Sequence, residues 1–167
     1  MTESTESPIL VIVDDEDMVL SSLSAFLKLE TSYAVIPFTS AKAALQYVQD
    51  ARVDLVISDY LMPEMDGITF LAHVRKLKPE VPRIILTGYA DKENAIRAIN
   101  EVGLYQYIEK PWENDDLLII IRNGLEKQQL MKQLQQKMDE INQAYTEIHQ
   151  AYAELQNIQR EILKTFA

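Results

Sequence analysis

The chain has 167 residues, 47% of them apolar and 25% charged, with a net charge of −10, enough for one globular core plus an appendage. It has no cysteine, which excludes disulfides and thiolate metal sites. Its acidity argues against direct nucleic-acid binding, which needs a basic patch. No apolar run approaches the roughly 18 residues that cross a membrane, and the polar start at 1–7 resembles neither a signal nor a transit peptide. A cytoplasmic location without membrane insertion is the default expectation.

Ile9-Leu10-Val11-Ile12-Val13 is an unbroken apolar run followed at once by Asp14-Asp15-Glu16-Asp17. It reads as a buried strand whose carboxyl end opens onto carboxylates. Residues 18–30 carry apolar groups at a helical period, with Asp17 as N-cap or first-turn acid. A second strand is predicted over 33–38. Ser40 caps a helix to Asp50 with Ala43, Ala44, Tyr47 and Val48 facing inward. The third strand, 55–59, ends on Asp59 and breaks into a loop carrying Pro63 and Gly67. The helix over 67–78 is fenced off by Pro79 and Pro82. The fourth strand, 83–87, ends on Thr87-Gly88. A helix over 92–101 follows, with Gly103 as its end signal. The fifth strand, 106–109, ends on Lys110-Pro111, and the last helix starts near Glu113.

Five strands alternating with five helices predict a doubly wound α/β fold, a parallel sheet covered on both faces. The order 2-1-3-4-5 is the common small solution and sets the ends of strands one and three side by side. The expected domains are 8–123 and a helical extension, 124–167. No stop interrupts that helix, Gly124 being its only weak spot. From Met131 onward it follows a heptad. The a positions are Met131, Met138, Tyr145, Tyr152, Gln159 and Phe166. The d positions are Leu134, Ile141, Ile148, Leu155 and Ile162. One polar residue in eleven predicts a coiled coil, and a homodimer through 124–167 is the expectation; the little-charged e and g positions and the bulky Tyr145 and Tyr152 at a leave direction open, along with a larger bundle or a seam that shifts register. Gln128, Gln129, Gln133, Gln135 and Gln136 read as a solvated face, His73 and His149 as surface residues, and Trp112 as a packing anchor.

A parallel sheet would gather Asp14, Asp15, Asp59, Thr87, Gly88 and Lys110 at one rim. Three close carboxylates repel and need a counter-charge. Hard oxygen donors without His or Cys select Mg²⁺. A carboxylate beside that ion, a lysine and a hydroxyl suits phosphoryl transfer, with Asp59 able to form an acyl phosphate.

These residues, with Met62-Pro63 and Asp66-Gly67 after Asp59, resemble a response-regulator receiver domain over roughly 8–123. The resemblance implies a flavodoxin-like fold and a phosphorylated signalling protein rather than an enzyme. Asp59 would take phosphate from a sensor histidine kinase or phosphotransfer protein. Asp14, Asp15, Asp59 and the Leu61 backbone carbonyl would serve Mg²⁺, Asp14 mainly through water. Thr87 and Lys110 would engage the phosphoryl group, Thr87 and Tyr107 would form the switch, and the Lys110-Pro111 bond would be cis. The switch would pass through the fifth helix to the coiled coil. An alternative is the N-terminal regulatory part of a larger signalling enzyme, with a cyclic-di-GMP phosphodiesterase, cyclase or phosphatase output. The heptad's stop at Phe166-Ala167 fits that layout. A remote alternative is a haloacid-dehalogenase-type phosphatase, from Asp15-x-Asp17. It fails because Met18-Val19 stands where that family has Gly-Thr.

Overall fold

The computed structural model describes residues 6–166, apart from the Tyr89 side chain. Met1 to Thr5 of the polar start, and the terminal Ala167, lie outside the described residues. The strands are β1 (Ile9–Val13), β2 (Ala34–Phe38), β3 (Leu55–Asp59), β4 (Arg83–Thr87) and β5 (Gln106–Glu109). They form one parallel sheet in the order β2-β1-β3-β4-β5, a flavodoxin-like doubly wound architecture. The helices are α1 (Asp17–Glu30), α2 (Ala41–Asp50), α3 (Gly67–Leu77), α4 (Lys92–Glu101) and α5 (Asn114–Thr165). Contacts divide the chain into two units, between Gln128 and Gln129.

Side chains alternate across a strand, so each apolar run feeds two cores. Val11, Val13, Val56 and Ile85 bury against α2, α3 and α4 through Ala44, Val48, Phe70, Val74 and Ala95. Leu10, Ile12, Leu55, Ile57, Ile84 and Leu86 bury against α1 and α5 through Leu20, Leu23, Leu27, Leu117 and Ile121. Coverage of both faces is why the strands read as continuous apolar runs rather than alternating ones.

The register brings the strand ends level. Val13 pairs with Ser58, Asp59 with Leu86, and Thr87 with Glu109. The next residues, Asp14 and Lys110, therefore emerge at the same edge as Asp59 and Thr87.

Three local expectations are corrected. Ala43 is exposed, because the stripe that α2 buries is Ala41, Ala44 and Val48. The Ser40 hydroxyl caps it as expected, accepting from the Ala43 N–H at 3.3 Å. Gly124 is a buried close approach rather than a weak spot. A Cβ there would lie 3.2 Å from both Leu55 Cδ1 and Tyr105 Cε1. Gln128 does not belong to the solvated face. It continues the buried stripe Leu117, Ile121, Gly124, and its Nε2 has no partner among the described residues. Asp17 is a first-turn acid, Glu16 taking the cap position without a side-chain bond.

The second unit is helical to Thr165, and every residue from Gln129 to Phe166 is exposed. No described helix is long and apolar enough to cross a membrane.

Candidate functional site

β1, β3 and β5 deliver four charged groups to one point. Asp14 is fully buried and Asp59 nearly so, while Asp15 is exposed. Carboxylate oxygens of Asp14, Asp15 and Asp59 lie within 4.8 Å of one another. The Lys110 ammonium donates to Asp59 Oδ1 at 2.8 Å and to Asp14 Oδ2 at 3.3 Å. Residues 96 and 51 positions apart in sequence thus share one ion-pair network.

The backbone holds each member in place. Asp14 N–H donates to the Phe38 carbonyl at 3.1 Å, and its carboxylate accepts from Glu16 N–H at 2.9 Å. Tyr60 N–H donates to the Leu86 carbonyl and fixes the chain just after Asp59. Lys110 N–H donates to the Thr87 carbonyl at 2.8 Å, and the Lys110–Pro111 bond is cis. The loop after Asp59 closes tightly. Gly67 N–H reaches the Tyr60 carbonyl at 2.8 Å, and Asp66 caps α3 by accepting from Thr69 N–H at 2.7 Å.

The electrostatics follow from burial. Desolvation pushes the Asp14 carboxyl above its ordinary range, against the hydrogen bond from Glu16 N–H. The Asp59 charge adds to the rise and Lys110 opposes it. Burial alone would lower Lys110. The hydrogen bond and charge of Asp59, helped by Asp14, outweigh it and hold the ammonium above its ordinary range. Lys110 therefore stays charged near neutrality, whereas burial favours the neutral form of Asp14. Three carboxylates against one ammonium leave surplus negative charge on hard oxygen donors, which suits a divalent cation of the Mg²⁺ kind.

Thr87 is buried, and its hydroxyl donates to the Gly88 carbonyl at 3.2 Å. A Cβ on Gly88 would meet nothing within 4 Å, so there is open space at that position. Tyr107 is half-buried against the α2–α4 core, opposite Ile85. Leu61 has an exposed side chain. Trp112 packs half-buried against the α1–α5 core, and His73 and His149 are exposed.

Two features of the neighbouring loops and strands leave no trace in the sequence. Glu64 adopts a left-handed φ of 69° in the loop after Asp59. Glu109 pairs with Lys92 at 3.4 Å, tying β5 to the start of α4. The adjacent Asp66-Gly67 signalled a turn, but nothing signalled the long-range charge pair.

Among known families, the response regulator receiver domain matches residues 10–122. The hydrogenase transcriptional regulatory protein HoxA of Cupriavidus necator is 35% identical over 127 residues, 76% of this chain and 26% of HoxA. The transcriptional regulatory protein FixJ of Rhizobium meliloti is 36% identical over 115 residues, 69% of this chain and 55% of FixJ. Among solved structures, the signal receiver domain of an HD domain-containing protein from Pseudomonas fluorescens superposes with a TM-score of 0.70 at 37% identity. It covers 74% of this chain and 98% of that one. The chain thus spans about a quarter of HoxA and about half of FixJ.

Proposed function

Because the chain belongs to the response regulator receiver domain family, we propose that it is a phosphoacceptor switch with Asp59 as the accepting residue. The donor is the phosphohistidine of a sensor kinase or phosphotransfer protein. The observation that carries this reading is the Lys110 ammonium shared between Asp59 and Asp14.

Lys110 engages Asp59 Oδ1, leaving the other oxygen to attack phosphorus. The P–N bond of the donor breaks as the acyl phosphate forms, and the imidazole nitrogen keeps the electron pair and takes a proton. Lys110 offsets charge on the phosphoryl oxygens. The Thr87 hydroxyl turns from the Gly88 carbonyl toward one of them. Asp14, Asp15 and Asp59, with the Leu61 carbonyl, would hold Mg²⁺, which when bound supplies further charge neutralisation.

The acyl phosphate adds about two negative charges. Drawing Thr87 inward opens space that Tyr107 fills, and the change reaches α4, β5 and α5. A charge-assisted hydrogen bond contributes roughly 1.5–3 kcal/mol, enough to shift a two-state ratio about ten- to hundredfold. The heptad of α5 supports the output, self-association of 129–166 into a homodimeric coiled coil whose pairing the switch biases.

The test is labelling by acetyl phosphate with Mg²⁺, read by intact mass. One acid-labile, base-labile phosphoryl group is expected, absent in Asp59→Asn. Undiminished labelling of Asp59→Asn would refute the assignment.

A second reading is favoured by the relatives' greater length and by the HD domain-containing origin of the Pseudomonas receiver. In it the chain is the regulatory front of a larger signalling enzyme. The length of the native open reading frame decides between them.

A further inference from the structure

Beyond Gln128 the polar side-chain pairs of α5 lie off the heptad seam. Gln135 donates to Asp139 at 2.9 Å, Lys137 pairs with Glu140 at 3.4 Å and Gln143 donates to Glu147 at 3.4 Å. None of these residues occupies an a or d position. Thirteen large apolar side chains between Leu130 and Phe166 are exposed, a contiguous row rather than scattered surface residues.

Resting on the self-association above, we propose that residues 129–166 pair with the same segment of a second copy, parallel and in register, so that the two Gln159 side chains face each other. Two observations choose the direction. Gln159 is the single polar residue among the a and d positions. In a parallel pair a meets a, and each Gln159 amide can donate to the other's carbonyl. In a fully overlapped antiparallel pair a meets d. Gln159 would then lie against Leu134, its amide buried without a partner.

The flanks agree. Leu163 is the one apolar residue among the e positions, the others being Gln135, Asn142, His149 and Gln156. In a parallel pair a g residue lies beside the e residue five positions later on the second copy, so Ile158 meets Leu163. An antiparallel pair sets g against g, and Ile158 would face Lys137. No parallel g–e pair joins like charges. Ala144 and Ala151 at g also leave room beside the bulky Tyr145 and Tyr152 at a.

The absence of cysteine makes the test clean. Met138→Cys and Leu155→Cys are made singly in the full chain and oxidised mildly, with Gln143→Cys on the outer face as control. Parallel pairing in register predicts that each seam variant links to itself at least tenfold faster than the control. Antiparallel pairing would hold the two copies of position 138 about 26 Å apart, at roughly 1.5 Å per residue. Only a mixture of the two variants would then link, and that result overturns the proposal. Light scattering on the unmodified chain separates the two levels of failure. A mass of one chain overturns the self-association itself, whereas two chains without self-linking overturn only direction and register. A mass above two chains overturns the pairing. Gln159→Leu is expected to tighten association at least tenfold and to give mixed masses. Unchanged mass and concentration dependence would remove Gln159 from the register.

Discussion

Gly67 is where the site is most sensitive to a single methyl group. A Cβ at that position would stand 2.0 Å from the Asp59 carbonyl oxygen, 2.9 Å from its carbon and 3.1 Å from Tyr60 Cα. All three are backbone atoms, so no rotamer change relieves the clash. For Gly67→Ala the first turn of α3 and the end of β3 must separate by about 1.4 Å to reach ordinary contact. Overpacking of this kind costs roughly 1–3 kcal/mol. The Gly67 N–H to Tyr60 carbonyl bond breaks with it, adding about 1 kcal/mol. A loss of about 2–4 kcal/mol leaves a domain of ordinary stability folded, but Asp59 moves relative to Lys110. A displacement near 1 Å can cost about 100-fold in rate. Urea unfolding at fixed protein concentration, followed by the fluorescence of the single tryptophan, measures the first effect. The acetyl phosphate labelling rate measures the second. Gly88→Ala is the control, since its Cβ meets nothing within 4 Å, and its unfolding free energy should stay within about 0.5 kcal/mol. A Gly67→Ala protein matching the parent in both measurements would refute the claim that α3 is pressed against the phosphoacceptor strand.

Asp14→Asn should raise the thermal midpoint in chelator and abolish the gain from Mg²⁺. The sign follows from linkage. Burial raises the Asp14 carboxyl in the folded state, so stability falls as pH climbs from the unfolded value near 3.8 through the folded one, and the cost persists at neutrality. A lower midpoint at pH 7 for the variant in chelator would contradict this. In the parent, Mg²⁺ at about 100 times its dissociation constant should stabilise by about 2.7 kcal/mol, read as a calorimetric shift that calcium-free chelator reverses. Glu64→Gly should be neutral or stabilising by up to about 1 kcal/mol, because it relieves a left-handed φ and gives up only an exposed pair with Lys42; a clear loss in urea unfolding would show that pair to matter. Removing 129–167 should leave a folded unit that binds Mg²⁺ and loses its concentration-dependent mass, and an unchanged oligomer would refute association through the heptad.

The strands and the site were readable for the same reason. A strand buried on both faces must be apolar along its length, so its end is marked wherever a carboxylate, hydroxyl or ammonium follows. Parallel pairing then brings those ends together whatever their separation in the chain, as it does for Asp14, Asp59, Thr87 and Lys110. What could not be read depends on how closely two elements approach. Gly124 looks like a flaw in a helix until Leu55 and Tyr105 are seen against it. Gln128 resembles its solvated neighbours, and only the continuing stripe of α5 buries it. Ala43 and Ala44 are the same residue type, so composition cannot say which of them α2 turns inward. The buried Arg83 is a further case. Its guanidinium donates to the carbonyls of Pro79, Val81 and Gly103, acceptors that no side-chain pattern reveals.

The position of Lys110 links charge at the site to the surface that would carry the signal. Its ammonium spans two strands, β1 through Asp14 and β3 through Asp59, while its own N–H is bonded to the Thr87 carbonyl of β4. Any group added to Asp59 must redistribute that one cation among more negative charge, and Lys110 cannot follow without loading β5. The preceding residue, Glu109, is itself held by Lys92 of α4, and Tyr107 lies two residues further back on the same strand. A charge change of about two units at Asp59 would therefore act on β5 from its end and on α4 through the half-exposed Lys92–Glu109 ion pair. That pair is weak, of order 0–1 kcal/mol, so it can break without unfolding either element. Lys92→Ala should accordingly leave stability within about 1 kcal/mol while shifting the balance of the Tyr107 environment. Its tyrosine resonances in the unphosphorylated chain should move toward their beryllofluoride-bound positions. Resonances that stay put would mean that α4 is not coupled to β5 through this contact.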